Sequence, residues 1–270
     1  MKRIILYRYH ENLALCIDRL TLIRGLNPGV PVYGLYGGPD HECEKFSTPL
    51  SHLLDGIYCI RNKSGYWKWG NSDLAFRLWY QDYGHRLDFD SVIVLEWDLV
   101  LFEPIEKLYA HIQPGQVGMT GLTPLSNVEK KWFWTRDPSR REEWLKLLEH
   151  VTRYHHYDQA PYASLCPGVI MPKAFLEAYN AIEIPELAHD ELRLPLYAQV
   201  LGFELADLGF YKKWFSAQEW SLFNCNDLPI SAAIIEKELA KSNGRKVFHP
   251  FREMISERFS NLIPSRNQSF

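Results

Sequence analysis

The sequence predicts an α/β protein with a mostly parallel central sheet flanked by helices, and three observations carry that expectation. Residues 3–36 run through a strand pattern, a helical pattern and a second strand pattern. That order makes a parallel strand pair with a right-handed crossover. Residues 92–95, Val-Ile-Val-Leu, form an apolar run without polar alternation, the mark of a strand covered on both faces. The run ends on two carboxylates, Glu96 and Asp98. Open α/β sheets bind ligands outside the carboxyl ends of their strands, so this is the expected site.

The elements follow in order. Residues 3–9, RIILYRY, make the first strand. Residues 11–26 carry Leu13, Ile17 and Leu20 at helical spacing, and Asn27-Pro28-Gly29 stops that helix. Residues 30–36 give the second strand, and residues 56–60 a short third one after a loop containing Asp55. Residues 62–71, NKSGYWKWGN, read as a ligand-holding loop before a helix over residues 72–83, with Asn71, Ser72 and Asp73 as cap candidates. There Lys63 and Lys68 suit a diphosphate, while Tyr66, Trp67 or Trp69 suit the face of a base or sugar; the other reading is that the tryptophans pin the loop to the core.

After the acidic pair, residues 99–102 resume the apolar pattern, so the carboxylates interrupt a buried stretch, where charge is costly unless compensated. Two carboxylates this close repel, and a hard divalent cation relieves them; the simpler alternative is a turn cap or a pairing with Lys or Arg. Residues 115–122 offer another strand, and Asp137-Pro138 opens a helix with Trp144, Leu147, Leu148 and Val151 on one face. His155, His156 and Asp158 read as a solvated surface cluster, because adjacent side chains point apart. Cys166-Pro167-Gly168 leads into a short strand and a helix over residues 173–179, with Gly168 permitting close backbone approach. In residues 188–202, Pro195 fits only a first helical turn, which predicts a helix from about Leu194 and leaves His189, Asp190 and Glu191 on the turn before it. Residues 203–207 are a last core strand, residues 211–227 an irregular aromatic lid or acceptor surface, and residues 230–240 a helix. Residues 264–270 are expected to be disordered.

Composition narrows the classes. With 270 residues, 46% hydrophobic and 23% charged, the chain can bury a large core. Its net charge of −3 disfavours a general nucleic-acid binder. No apolar run reaches the ~18 residues of a transmembrane helix, and Met1-Lys2-Arg3 leads into a strand rather than a signal peptide, so the expected location is cytoplasmic. Cys16, Cys43, Cys59, Cys166 and Cys225 are odd in number and lack a C-x-x-C pair, which predicts reduced thiols.

Taken together, the pattern resembles the GT-A glycosyltransferases, whose fold is a Rossmann-type, mostly parallel sheet flanked by helices. The resemblance covers most of the chain. It implies a single domain, with residues 1–104 as the nucleotide-sugar half and 105–270 as the acceptor half and C-terminal tail. Glu96-Trp97-Asp98 stands where the family has Asp-x-Asp, Cys166-Pro167-Gly168 where a loop approaches the transferred sugar, and His189-Asp190-Glu191 where many inverting members carry a base. The resemblance thus implies Asp190, then Glu191, as catalytic base, with Asp98 and His249 on Mn²⁺ or Mg²⁺. Glu96 contributes through the ribose, a water or a contact behind the ion, because Glu replaces the commoner Asp. Tyr7 is expected at the base and Arg8 at the phosphates, the equal alternative being strand-end packing and surface charge, with Lys63, Trp67, Asn71, Trp97 and Gly168 completing the nucleotide-sugar site. The implied reaction moves a sugar, with inversion, from a nucleoside diphosphate sugar to a hydroxyl of a carbohydrate or other acceptor.

Two alternatives stay open. A sugar-phosphate nucleotidyltransferase needs a glycine-rich loop after its first strand, and Tyr9-His10-Glu11-Asn12 stands there instead. A non-catalytic nucleotide-sugar or carbohydrate binder can share the same fold. Absence of G-x-G-x-x-G after the first strand, of a Walker A loop and of G-x-S-x-G disfavours dinucleotide enzymes, P-loop NTPases and α/β-hydrolases.

Overall fold

The structure is a computed structural model that describes residues 1–259. The disorder expected of residues 264–270 lies outside the described residues. The fold is mixed α/β, with a seven-stranded, mostly parallel sheet flanked by helices. In chain order the elements are β1 (Arg3–Tyr9), α1 (Leu13–Leu26), β2 (Val32–Tyr36), α2 (Cys43–Leu50), β3 (Gly56–Cys59), α3 (Gly65–Gly70), α4 (Ser72–Asp82), β4 (Ser91–Glu96), β5 (Val100–Leu101) and α5 (Ile105–Leu108). There follow β6 (Val117–Pro124), α6 (Phe133–Arg136), α7 (Pro138–His155), β7 (Tyr162–Pro172), α8 (Lys173–Ala181), α9 (Asp190–Val200), β8 (Leu205–Asp207), α10 (Ala217–Trp220), α11 (Ala232–Leu239), β9 (Val247–Phe248) and α12 (Ile255–Arg258).

The strands lie in the order β3-β2-β1-β4-β7-β6-β8, with a separate ribbon of β5 and β9. β1 pairs with β2, β2 with β3 and β6 with β8 in parallel, whereas β7 runs antiparallel to both β4 and β6. Two compact units interleave along the chain. The first comprises Ile4–Cys59, Val94–His111 and the residues from Phe210 onward; the second comprises Met1–Arg3, Ile60–Ile93 and Ile112–Gly209. Among the described residues no helix is long and apolar enough to cross a membrane.

In the first unit, the apolar residues of β1 and of the end of β4 are almost wholly buried. Each such side chain stabilises the fold by about 1.5–3 kcal/mol. Helix α1 begins at Asn12, whose side chain accepts the Leu15 N–H at 3.1 Å, and ends at Asn27, whose backbone and side-chain N–H groups both reach the Ile23 carbonyl. Its Asp18 and Arg19 are buried and paired at 2.8 Å, a feature that its apolar periodicity alone does not show. Arg19 donates to the carbonyls of Phe251 and Glu253, and Asp18 accepts the N–H groups of Ile255 and Ser256. These bonds fasten residues 251–256 to α1. A core of Leu22, Val100, Ile230, Ile235, Phe248, Phe251, Ile255 and Phe259 does the rest, and β5 and β9 pair across it. Helix α2 occupies part of what the sequence suggests is loop. Cys43 at its start is joined to Cys59 at the end of β3 in a disulfide, with Cα atoms 6.4 Å apart, which corrects the expectation of reduced thiols for these two of the five cysteines.

In the second unit, the expected loop over residues 62–71 is largely helical. Ser64 caps α3 by accepting the Trp67 N–H at 3.1 Å. Helix α9 starts at Asp190, not near Leu194, and holds Pro195 in its interior. An interior proline costs roughly 3 kcal/mol, but the complete burial of Leu192, Leu194, Leu196 and Tyr197 outweighs it.

Candidate functional site

In the first unit, β4 delivers Glu96 at its last position, and the turn after it is pinned by Trp97 N–H to the Arg8 carbonyl at 2.9 Å and Leu99 N–H to the Glu96 carbonyl at 3.0 Å. His249 follows β9 directly. Its Nε2 lies 3.4 Å from Asp98 Oδ1 and 3.5 Å from Glu96 Oε2, and one ligand atom from each of the three residues falls within 4.8 Å of the others. His249 Nδ1 sits 2.7 Å from the Asn224 carbonyl. A proton held there leaves the Nε2 lone pair facing the carboxylates in the neutral ring, the usual arrangement of a ligating histidine. Two hard oxygen donors and one imidazole fit Mn²⁺ better than Mg²⁺, which favours oxygen throughout.

Two guanidinium groups flank the cluster. Arg8 Nη1 is 3.0 Å from Glu96 Oε1; Arg252 places Nε and Nη2 each 3.2 Å from Asp98 Oδ2 and reaches Asp227 at 2.6 Å. The Trp97 ring packs against Arg252 at 5.5 Å and against the edge of His10. Burial by itself would raise the Asp98 carboxyl, but the His249 and Arg252 charges overcome it and hold it at about 2. Burial would likewise lower His249, yet Asp98 in front, then Cys225 and Glu96, raise it well above its ordinary value.

The structure thus gathers Arg8, Glu96, Trp97, Asp98 and His249 in one unit, while Lys63, Trp67, Asn71, Gly168, Asp190 and Glu191 belong to the other. Tyr7 is not at the surface. It is completely buried and stacked 5.8 Å from Tyr9, because its apolar ring faces the core, so it does not meet a base. The polar groups of the 62–71 segment are also occupied. Lys63 and the Trp67 indole both bind Glu186, at 3.1 and 2.6 Å, and Asn71 accepts from Arg193 at 2.8 Å. Gly168 has φ +87°, a conformation favouring glycine, within β7. Arg252, Asp227 and Asn224 were not singled out from the sequence.

Asp190 is held inside the fold by both of its oxygens. It is 1% exposed; Oδ2 accepts the Ser72 N–H at 2.8 Å and thereby caps α4, while Oδ1 lies 2.8 Å from His189 Nδ1. His189 Nδ1 also lies 3.4 Å from the Glu191 N–H, but the shorter contact decides, and the raised His189 pKa agrees with a proton on Nδ1. Glu191 differs. It accepts the Trp134 indole N–H at 2.8 Å, and burial, first of all, lifts its carboxyl to about 7.

A carboxyl raised on folding binds its proton more tightly in the folded state. Its stabilising contribution is full below the unfolded value of about 4.5 and is lost as pH rises to about 7. Glu191→Gln is therefore expected to flatten the decline in stability between pH 5 and pH 8 and to stabilise the protein at pH 8 by up to ~3 kcal/mol. Urea unfolding at both pH values measures this; parallel profiles for variant and parent would contradict it.

The chain matches no family model and no curated protein. Among solved structures, the apo structure of the bifunctional glycosyltransferase WbbM is similar over 97% of this chain and 49% of its own, at 10% identity and a TM-score of 0.46. The chain therefore spans about half the length of that protein.

Proposed function

We propose that this protein is a metal-dependent glycosyltransferase that moves a sugar from a nucleoside diphosphate sugar to an acceptor hydroxyl with inversion. The observation that carries the reading is the Glu96, Asp98 and His249 cluster at the carboxyl end of β4, with Arg8 and Arg252 on its flanks. Asp98 and His249 would hold the cation, with Glu96 beside them; when bound, it supplies Lewis-acid neutralisation of the charge on a departing diphosphate. Arg8 and Arg252 suit the phosphate oxygens by bidentate hydrogen bonding. Trp97 is the neighbouring apolar surface, only 5% exposed. Glu191, with a carboxyl near 7, is better matched to accept the acceptor proton than Asp190, whose oxygens cap α4 and face His189. Direct displacement with a single such base inverts the anomeric centre.

One observation favours a second reading, a binder without turnover: both arginines already neutralise the carboxylates, as an ion-pair network does without any metal. A thermal-shift panel of UDP, GDP, ADP, CDP and dTDP and their sugars, with and without Mn²⁺, tests the site. A ligand at a hundred times its Kd stabilises by about 2.7 kcal/mol, so a metal-dependent shift with one nucleobase is expected. No shift with any of them counts against both readings, and a shift without donor turnover selects the binder.

A further inference from the structure

Three of the large apolar side chains that the described residues expose, Tyr66 (63%), Trp69 (54%) and Phe133 (49%), belong to one group of rings in the second unit. Tyr66 lies 5.9 Å from Trp69, Trp69 lies 5.8 Å from Trp134 and 5.3 Å from His189, and Phe133 abuts Trp134 at 5.0 Å. Trp134 stacks face to face on His189, with centroids 3.7 Å apart and planes 10° apart. Exposed aromatic faces in contact with one another cost solvation free energy unless a ligand covers them. A second observation points the same way. The His189 side chain is 10% exposed, its Nδ1 faces Asp190 at 2.8 Å, and its Nε2 is buried without a hydrogen-bond partner. A buried polar nitrogen in such a place costs about 1–3 kcal/mol until a polar group meets it.

The charge around the rings decides the ligand class. Arg140 lies over the Trp134 ring at 5.9 Å and is shared between Glu143 and the Tyr66 hydroxyl, while Asp190 and Glu191, which face His189 and the Trp134 indole, are carboxyls. Two carboxyls against one shared guanidinium make the rings' surroundings less suited to a phosphate-bearing nucleotide than to a neutral ligand. A neutral ring with apolar C–H faces and many hydroxyls suits both the stacked indoles and His189 Nε2. We propose that Tyr66, Trp69, Trp134 and His189 form a carbohydrate platform that binds a pyranose ring of the acceptor. Trp134 carries His189 against its face and gives its indole N–H to Glu191, so a sugar bound on the platform sits near the carboxyl assigned the acceptor proton. The acceptor role rests on the transferase reading; the sugar binding does not.

The test is calorimetric titration of the full chain with chitohexaose, cellohexaose, maltohexaose and mannohexaose, in parallel with the nucleoside diphosphate and Mn²⁺ titration. Parent protein is expected to bind at least one hexaose, with Tyr66→Ala and Trp69→Ala each weakening it about threefold to tenfold and Trp69→Phe restoring part of the loss. Nucleotide affinity should stay unchanged in all three variants, which also shows that they fold. Binding of no hexaose by the parent overturns the platform whatever the nucleotide does. Equal hexaose affinity in parent and Trp69→Ala overturns it as well. Hexaose binding that Trp69→Ala weakens, in a protein that binds no nucleoside diphosphate, supports the platform and removes the transferase reading instead.

Discussion

Asp98→Asn is expected to lose Mn²⁺ affinity by about a hundredfold or more, because groups behind a metal ligand already cost 10- to 100-fold when removed and Asp98 is a ligand itself. The side chain is 5% exposed and faces His249 and Arg252. Asparagine keeps its shape but brings no charge, so the cation meets one carboxylate and an imidazole in place of two carboxylates and an imidazole. Arg8 still pairs with Glu96, and Arg252 keeps Asp227 at 2.6 Å, so metal-free nucleotide affinity should change much less. Titration of the variant with MnCl₂, and with a nucleoside diphosphate in its presence and absence, separates the two. Unchanged Mn²⁺-dependent affinity would sink the metal assignment and leave an ion-pair network. The apo proteins carry an independent signature. A carboxyl held at about 2 contributes stability above its unfolded value near 4 and loses it as pH falls through about 2, so the parent should lose more stability than the variant on acidification from pH 5 to pH 2.

How much of this site the sequence revealed depends on how local its causes are. Glu96 and Asp98 were legible because an uninterrupted apolar run announces a buried strand and charge at its end demands an explanation. Arg252 and Asp227 were not: Arg252 meets Asp98 across a separation of 154 residues, and nothing in the local pattern of either stretch says so. The same limit explains the aromatic segment over residues 62–71. Its composition suggests a cationic ligand loop, but Glu186, more than a hundred residues onward, claims both Lys63 and the Trp67 indole. Tyr7 misleads for the opposite reason. A strand-end tyrosine looks available, yet this one is entirely buried beside Tyr9.

Pro195 shows local propensity overruled. The proline rule places the start of its helix four residues late, because it weighs the lost hydrogen bond to the Glu191 carbonyl and cannot weigh the burial that compensates for it. The correction changes the chemistry. A helix beginning at Asp190 turns that carboxylate into the cap of α4, through Ser72, and leaves Glu191 as the carboxyl with a proton to exchange near neutral pH.

The same helix start depends on Arg193, and Arg193→Met is expected to destabilise the protein by about 3–5 kcal/mol, as breaking a buried ion pair does. Arg193 is 0% exposed, and each of its five N–H bonds has an acceptor. Nε and Nη2 grip Asp73 at 2.7 and 2.6 Å, Nη2 also meets Asn71 at 2.8 Å, and Nη1 reaches the carbonyls of Leu187 and Ala188 at 3.0 and 2.9 Å. Asp73 in turn accepts the Tyr179 hydroxyl. Methionine fills much of the volume but leaves the Asp73 carboxylate buried with that hydroxyl and strips two carbonyls of their donor. Asp73→Leu should cost a similar amount for the mirrored reason, an unpaired guanidinium in the core. Because both losses come chiefly from a charge left alone, Asp73→Leu with Arg193→Met should cost far less than the sum of the two single changes, a coupling of at least ~2 kcal/mol. Urea unfolding of the four proteins at pH 7 gives the cycle. Single variants within 1 kcal/mol of the parent, or additive costs, would show that the hydrophobic burial of α9 holds residues 187–191 without the arginine; large, coupled losses would make Arg193 the residue that positions Glu191.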